Sequence, residues 1–385
     1  MQSVSEAKFQ CNPATQNVAL VDIAKFAYPP ATASAENTLI KFYLQTLSSS
    51  LLPDERVSKC LRQIRPGQSQ VEVRVNPEHT SAHYANLITC ARLWFCPVCA
   101  SRISEKRAEE LTIASYIWRQ SGGFVSMFTF TLSHNVKQTL HSVLNTLREA
   151  HRKFKSGSPF KKIQSRYGWA GSVCALEVTH GLNGWHCHLH ELVFLTPLSD
   201  DAYRNLERDA KKRWIDSLAA VQGSATYEHG LDIQVGDDKV SEYIAKYGKL
   251  PEHPSWSVER EIAKSVTKLG KHEGRTPFQI LMDYGEGSAS DKSLFLEYAF
   301  EFKGRKQLVW SRGLRDMLKM GIEENDAQIA EKLPIEYKTL AVLPKMAWKR
   351  LIALPSDERG HILTIARTGN KAALDSYLNS LGIIP

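Results

Sequence analysis

The sequence predicts an α+β fold in which an antiparallel sheet of about five strands carries helices on one face. Strand and helix patterns between residues 124 and 247 follow the order β-α-β-β-α-β, which is typical of such a sheet. The turn-rich stretch 180–184 separates two strand patterns and indicates an antiparallel hairpin. Cysteines before this region and helical periodicity after it indicate an N-terminal zinc-knuckle module and a C-terminal helical region.

Changes in pattern divide the chain into four parts. Residues 1–58 are predicted to be a lead-in with a short helix near 36–47, and residues 59–120 a zinc-knuckle module with its connecting helix. Residues 121–255 hold the predicted sheet, and residues 256–385 are mainly helical by pattern. The sheet strands are predicted at 124–132, 171–179, 185–195 and 231–235. The C-terminal helices are predicted at 257–269, 275–284, 289–302, 324–332, 342–353, 356–367 and 370–381.

The composition is that of an ordinary globular protein. The 385 residues are 43% apolar and 23% charged, and they suffice for two or three domains. No apolar run reaches the roughly 18 residues that span a bilayer, and the N-terminus lacks the pattern of a secretory signal. We therefore expect a cytoplasmic protein. The net charge of +8 indicates an anionic partner, although charge alone does not separate nucleic acid from a membrane surface.

Three histidines are predicted to share one face of a strand. His186, His188 and His190 lie on the same side of the predicted strand Trp185–Leu195, because successive side chains in a strand point to opposite faces. We predict that His188 and His190 bind a divalent ion, with Glu177 on the partner strand as the third ligand. Imidazole combined with carboxylate favours Mg²⁺ or Mn²⁺. The alternative is a solvent-facing strand that is merely rich in histidine.

Two tyrosines are predicted to lie on one helix face. Tyr243 and Tyr247 are four residues apart in the helical pattern 239–247, so their side chains are neighbours. A free tyrosine has a pKa near 10 and is a poor nucleophile unless a metal polarises the phosphate that it attacks. Lys246 adds a positive charge that lowers a tyrosine pKa or pairs with a phosphate oxygen. The alternative is that both aromatic side chains pack in a core. That alternative does not explain why the tyrosines follow a strand that carries three histidines.

A cysteine cluster predicts a structural zinc site. Cys96 and Cys99 form a Cys-x₂-Cys knuckle, and Cys90 stands six residues before it. The fourth ligand is left open, because Cys60, His79 and His83 all qualify. Three thiols this close together suit metal binding in a reducing cytosol better than a disulfide framework.

Three basic segments are predicted to contact DNA. Positive charge interleaved with aromatic residues suits a single-stranded nucleic acid, which needs phosphate neutralisation and base stacking. The predicted contacts are Arg102, Lys106, Arg107, Arg152, Lys153, Lys211, Lys212 and Arg213. Each segment taken alone is typical of a solvated face.

The motifs resemble those of rolling-circle plasmid replication initiators, the Rep proteins of the HUH endonuclease superfamily. Phe128–Leu132 is similar to the first, strand-borne motif of that family. Gly184–His190 is similar to the second, whose two metal-binding histidines fall on His188 and His190. Tyr243–Tyr247 is similar to the third, which carries the nucleophile. The resemblance implies that residues 121–255 form an HUH nicking-joining domain with a ferredoxin-like palm.

The resemblance, which covers about residues 58–316, also bears on the fourth zinc ligand and on the tyrosines. An earlier cysteine occurs in the family, which supports Cys60. Many relatives carry a glutamate where this chain has Tyr243, and the tyrosine pair is similar to that of phage rolling-circle initiators. Tyr247 matches the nucleophile of single-tyrosine relatives and is expected to act first.

The resemblance implies a bacterial protein that nicks one strand at a plasmid double-strand origin. Its intermediate would be a 5′-phosphotyrosine, and the released 3′-OH would prime a host DNA polymerase while a host helicase unwinds the template. The partners implied are DNA and these host enzymes, with no membrane. Two alternatives stay open: a two-tyrosine HUH transposase of insertion-sequence type, and a non-catalytic zinc-knuckle regulator that binds DNA.

Overall fold

A computed structural model describes residues 35–77, 79, 81–235, 274–332, 336–354 and 357–383. Eight strands and twelve α-helices lie within these ranges, in two antiparallel sheets. None of the helices in the described ranges is both long and apolar enough to cross a membrane. The α+β class and the five-stranded antiparallel sheet predicted from the sequence are confirmed.

The larger sheet has five strands in the order β6-β3-β5-β4-β7, with every neighbouring pair antiparallel. Its strands are β3 (Phe124–Phe130), β4 (Trp169–Gly181), β5 (Gly184–Leu195), β6 (Leu231–Val235) and β7 (Leu308–Trp310). The edge strand β7 comes from the C-terminal part of the chain, where the sequence predicted mainly helices. Its three residues are too few to show a period-two pattern.

Strands β4 and β5 form the long hairpin at the centre of this sheet. Its turn needs Gly184, whose φ of +84° lies in the left-handed region and whose missing Cβ would stand 3.0 Å from the Val136 Cα. The pairing runs from Gly181 opposite Gly184 to Trp169 opposite Leu195. In this register Glu177 is opposite His188, so the hairpin brings the two predicted metal ligands together.

Three helices cover one face of the sheet: α3 (Leu140–Phe154), α4 (Gly157–Tyr167) and α5 (Asp200–Ala219). Thr139 caps α3 by accepting from the Ser142 N–H. Phe130 of β3 is the centre of an aromatic cluster, with its ring centroid 5.0 Å from that of Phe154 and 4.9 Å from that of Trp214. Edge-to-face packing of these rings fixes both helices on the sheet.

The opposite face is covered by α2 (Pro97–Gln120), so the prediction of helices on one face only was wrong. Leu111, Ala114 and Trp118 of α2 pack on Leu192 and Phe194 of β5. Trp118 also donates through Nε1 to the Leu195 carbonyl at 2.9 Å. The sequence could not assign α2 to a face, since its apolar stripe is equally suited to either.

The second sheet has three strands in the order β2-β1-β8 and is built from both ends of the described chain. They are β1 (Gln70–Val75), β2 (Ala82–Ala85) and β8 (Lys338–Pro344). The expected helix over 342–353 begins only at Lys345, because the residues before it pair with β1. Val71, Val73 and Val75 of β1 are buried beneath this sheet.

The remaining helices surround the second sheet and the edge of the first. Helix α1 (Ala35–Leu51) begins within the predicted lead-in, yet Phe42 and Leu44 are buried in the main core. The others are α6 (Pro277–Gly285), α7 (Ala289–Phe302), α8 (Leu314–Met317), α9 (Asp326–Glu331), α10 (Lys345–Ile352), α11 (Arg359–Ala366) and α12 (Lys371–Ser380).

Removing the Phe154 ring tests the aromatic cluster. Phe154→Ala leaves a cavity beside Phe130 and should lower the free energy of unfolding by about 3–5 kcal/mol. Tyr227→Ala, at a side chain that is 45% exposed, is the control and should change it by less than about 0.5 kcal/mol. Urea denaturation followed by circular dichroism measures both. Equal values for the two variants would show that the cluster does not hold α3 on the sheet.

Candidate functional site

The histidines of β5 lie on the face that α2 covers only in part. His186, His188 and His190 share this face with Leu192 and Phe194, which α2 buries. One face of β5 therefore carries packing side chains at its end and imidazoles nearer the turn. The predicted shared orientation therefore follows directly from the hairpin register.

His190 is held on both ring nitrogens. Its Nε2 lies 2.9 Å from the Glu177 Oε2, and its Nδ1 lies 3.1 Å from the Thr129 Oγ1. The side chain is nearly inaccessible, with 2% of its surface exposed. Thr129 is directly opposite His190 in the β3–β5 register, so the first motif orients the second. Contacts of this kind fix the ring of a metal ligand.

His188 is kept as a neutral imidazole by its surroundings. Burial, followed by the neighbouring charge of His186, lowers the pKa of His188 to about 3. Its Nδ1 is buried and has no hydrogen-bond partner among the described residues. The His186 ring stacks on it with centroids 4.1 Å apart, and the pKa of His186 is lowered by burial as well. A histidine binds a metal ion only when its ring is neutral and one ring nitrogen is free of a hydrogen bond. His188 meets both conditions.

A fourth histidine belongs to this cluster and escaped the sequence analysis. The ring centroid of His134 lies 4.7 Å from that of His186, and its Nδ1 lies 3.0 Å from the Asn183 carbonyl oxygen. His134 follows β3 in a connecting loop, so no strand or helix period linked it to β5. The sequence signal that could have indicated His134 was its position two residues after the first motif, Phe128–Leu132.

Glu177, His188 and His190 supply the nitrogen and oxygen donors that suit a divalent ion. The unpartnered Nδ1 of His188 and the carboxylate of Glu177 across the hairpin support this use. Their donor atoms are not gathered as closely as those of the cysteines described below. Binding an ion here would replace the hydrogen bond between Glu177 and His190 by ligation from both side chains.

The predicted nucleophiles fall outside the described residues. Tyr243, Lys246 and Tyr247 lie between residues 236 and 273, beyond the last residue of β6. Their predicted place on a common helix face, and the predicted helix over 257–269, therefore stay predictions.

Behind the histidines, the other face of the hairpin carries a buried charge that the sequence analysis missed. Glu191 is fully buried and accepts from His151 Nε2 at 2.8 Å, from the Lys155 ammonium and from the Ser172 hydroxyl. Burial raises the pKa of Glu191, but Lys155 and then His151 outweigh it and hold the pKa well below its usual range. This network ties β5, α3 and β4 together at the residue after His190.

The four cysteines form a closed site. The Sγ atoms of Cys60, Cys90, Cys96 and Cys99 all lie within 4.8 Å of one another, and all four side chains are buried. The Cys60–Cys99, Cys90–Cys99 and Cys60–Cys96 separations are 3.7, 3.6 and 3.7 Å. Four thiolates at about 2.3 Å from a tetrahedral zinc ion would be about 3.8 Å apart. The cluster therefore fits structural zinc.

The structure also decides the fourth zinc ligand in favour of Cys60. Cys96 and Cys99 flank the first turn of α2, whose start is set by Pro97, while Cys60 ends the short 3₁₀ helix Arg56–Lys59. Neither His79 nor His83 belongs to the group of ligand atoms. The His83 ring instead packs edge-on against Tyr337, with centroids 4.1 Å apart.

A buried hydrogen-bond chain connects this site to the C-terminal helices. Gln45 donates through Nε2 to Cys96 Sγ at 3.4 Å. Arg359 at the start of α11 donates to Gln45 Oε1 at 2.7 Å and to the Leu61 carbonyl at 3.1 Å. Both Gln45 and Arg359 are buried, and Asp357 balances the guanidinium charge. The C-terminal region thus helps to orient a thiolate of the zinc knuckle.

Two of the predicted DNA contacts have structural roles instead. Arg107 is 4% exposed, and its guanidinium pairs with Glu110 at 3.0 Å, Glu323 at 3.2 Å and Asp326 at 3.2 Å. Arg213 donates to three carbonyls at the end of α3 and so closes that helix. Arg107 is not available to a phosphate, because it is buried among these carboxylates, and the half-buried Arg213 uses its donors on the backbone. Glu323, Asp326 and the end of α3 are distant in sequence, so the pattern did not show these pairings.

The other six predicted contacts keep some exposure. Four of them have protein partners close in sequence or space, namely Arg102 with the Ala330 carbonyl, Lys106 with Glu109, Arg152 with Glu149 and Lys211 with Glu207. Lys153 is half-buried and Lys212 exposed. The exposed pair of Arg152 with Glu149 contributes little to stability, so Arg152 can exchange its carboxylate for a phosphate.

Two curated proteins are similar to the chain. It is 28% identical over 313 residues to "Protein rep" of Streptomyces lividans, a match that covers 63% of this chain and 66% of that protein. It is 28% identical over 134 residues to a "Neomycin resistance protein" of Streptomyces cyanogenus, covering 28% of this chain and 31% of that protein. No family model and no solved structure matches the chain.

The chain is similar to a plasmid Rep protein. This similarity confirms the resemblance to Rep proteins, while the HUH assignment and the roles of the tyrosines stay predictions. The chain spans just under two thirds of the first relative's length and about a third of the second's. The comparison therefore shows similarity to a protein named Rep over part of its length.

Replacing Glu191 tests the buried network. Glu191→Gln leaves Lys155 without its anion and should lower the free energy of unfolding by about 3–5 kcal/mol at pH 7. Because the folded-state pKa is depressed, the contribution is complete above the unfolded pKa near 4.3 and declines below it. The difference in free energy of unfolding between variant and wild type should therefore narrow, by up to about 1.4 kcal/mol for each pH unit below the unfolded pKa. Urea denaturation at several pH values measures it, and a pH-independent difference would contradict the assignment.

Replacing Gln45 tests the chain from α11 to the zinc knuckle. Gln45→Met removes the donor to Cys96 and the acceptor of Arg359, and it should speed zinc release by about 10–100-fold. A colorimetric chelator measures release from the purified chain. Gln68→Met, at an exposed position, is the matched control and should release zinc at the wild-type rate. Equal rates for both variants would contradict a role of Gln45 at the thiolate.

Proposed function

We propose that the protein initiates rolling-circle replication of a plasmid by nicking and rejoining one DNA strand at the double-strand origin. One observation carries the proposal: the hairpin of β4 and β5 places Glu177 opposite His188 and beside His190, in a chain similar to a Rep protein. Neither relative is named as a transposase, which favours the plasmid initiator over the insertion-sequence alternative.

Glu177, His188 and His190 would hold Mg²⁺ or Mn²⁺ on this face of the hairpin. The bound ion would supply positive charge that polarises a phosphodiester and stabilises the charge that develops on it. Burial keeps His188 uncharged, so it stays a ligand at any physiological pH. Thr129 holds the His190 ring from the opposite side, which restricts the position of the scissile phosphate.

In the proposed step, the Tyr247 phenolic oxygen forms a bond to phosphorus and the bond from phosphorus to the 3′ oxygen breaks. The phenol gives up its proton, and the leaving 3′ oxygen takes one up, so the products are a 5′-phosphotyrosine and a free 3′-OH. Lys246 would favour the phenolate by its charge. A host polymerase extends the 3′-OH while a host helicase unwinds the template. Tyr243 then attacks the regenerated junction, and strand transfer releases a circle.

Tyrosine variants test this proposal. The full chain is incubated with Mn²⁺ and a labelled single-stranded oligonucleotide from the origin of its own plasmid, and covalent adducts are mapped by mass spectrometry. Tyr247→Phe should lose the first adduct, and Tyr243→Phe should keep nicking but lose strand transfer. Tyr227→Phe, at an exposed phenol, is the matched control and should behave as wild type.

The double variant decides between the candidate functions. Adduct formation that persists with both Tyr243 and Tyr247 replaced would overturn the tyrosine mechanism. Sequence-specific binding of origin DNA with no nicking under any metal would favour the non-catalytic regulator.

A further inference from the structure

A cavity of about 370 Å³ lies between the zinc knuckle and the C-terminal part of the chain. Three stretches form its walls: Cys90–Phe95, Gly304–Leu308 and Glu323–Ala327. Arg56 and Arg107 complete the lining. The volume lies at the lower end of the roughly 300–1,000 Å³ found for small-ligand sites. A space of this size admits one nucleotide unit and excludes a duplex.

The carboxylates of one wall are already paired. Glu323 and Asp326 each lie 3.2 Å from the Arg107 guanidinium, and Glu324 pairs with Lys332. These ion pairs hold the stretch Glu323–Ala327 against α2. They also reduce the repulsion that the wall would otherwise exert on an anionic ligand.

The other side of the cavity presents cations to the opening. Arg56 and Lys306 are exposed, and neither pairs with a carboxylate of the described residues. Arg92 lies 3.6 Å from Glu55 through its Nη2, while its Nε is buried and has no partner within the described ranges. Three cationic side chains with unused donors in the lining of one cavity suit a phosphate group.

One wall of the cavity ends at the strand next to the hairpin that carries the histidines. Leu308, at one end of its second wall, begins β7 and is opposite Ala175 of β4. Two residues further along β4, Glu177 is opposite His188 of β5. Strands are about 4.8 Å apart, so β7 stands on the order of 10 Å from β5. A single strand whose phosphate lies at the histidines therefore reaches the cavity within a few nucleotides.

We propose that this cavity binds one unstacked nucleotide of single-stranded DNA near the scissile phosphate. Arg56, Arg92 and Lys306 contact its phosphate, and its base enters the space between the three walls. A base can enter only if it is unpaired, which makes the cavity selective for single strands. The inference rests on the proposed function, because that function brings a single strand to the histidines.

Photochemical crosslinking tests the cavity directly. The probe is a short single-stranded oligonucleotide of 5-iododeoxyuridine, irradiated with the full zinc-loaded chain and mapped by mass spectrometry. Adducts are expected on peptides that contain Cys90–Phe95, Gly304–Leu308 or Glu323–Ala327. Adducts confined to other peptides would overturn the proposal.

A variant that fills the cavity is compared with a variant of the same kind at a distant exposed position. Ala327→Phe places a ring into the space from a half-buried position on α9, and it should remove the cavity adducts and weaken oligonucleotide binding at least about fivefold. Ala373→Phe, at an exposed position on α12, should leave both unchanged. Lys306→Ala, at an exposed side chain that carries no packing, serves as a second variant and should also weaken binding. Unchanged adducts and affinity in both cavity variants would overturn the proposal.

The two proposals fail separately. Crosslinking of this probe requires neither Tyr247 nor a divalent ion at the histidines. If the chain forms the phosphotyrosine but shows no cavity adducts, only the proposed nucleotide site is contradicted. A chain that shows cavity adducts but never forms the phosphotyrosine loses the nicking mechanism alone.

Discussion

The register of the β4–β5 hairpin is the constraint on which the rest of the site depends. A shift by one residue would turn every side chain of β5 to the other face and exchange the histidines with Glu191. Three contacts prevent this shift: the left-handed turn at Gly184, the packing of Leu192 and Phe194 under α2, and the buried pairing of Glu191 with Lys155. Packing on one face of β5 and the ion pair on its other face therefore fix the direction in which the imidazoles point.

The structure connects this site to parts of the chain that the sequence pattern assigned to separate regions. Helix α2 starts at the zinc knuckle and packs near its other end on Leu192 and Phe194 of β5, so the cysteine cluster anchors a helix that covers part of the sheet. Arg359 reaches the same knuckle from the C-terminal region through Gln45. Strand β8 closes the second sheet beside β1. A metal ion bound at the cysteines would thus stabilise the start of α2 and, through it, the contacts of α2 with the larger sheet.

Local patterns predicted the parts of the fold that repeat with a fixed period. The hairpin, the shared face of the histidines and the thiols of Cys90, Cys96 and Cys99 follow from strand alternation and ligand spacing, whereas spacing left the fourth zinc ligand open until the structure grouped Cys60 with them. Features set by distant segments did not follow. His134 joins the cluster from a loop, β7 and β8 return from the C-terminal region, and Arg107 meets carboxylates more than two hundred positions away. These contacts depend on tertiary packing, which no single stretch of sequence records.

The most direct test of the central claim measures the ligands of a divalent ion at the hairpin. Electron spin-echo spectroscopy of Mn²⁺ bound to the full chain, with isotopically labelled histidine, reports imidazole nitrogens bonded to the ion. If both histidines are ligands, coupling to nitrogens of His188 and His190 is expected, with one coupling lost in each single alanine variant. Mn²⁺ that binds tightly without nitrogen coupling, or with coupling unchanged in both variants, would contradict it.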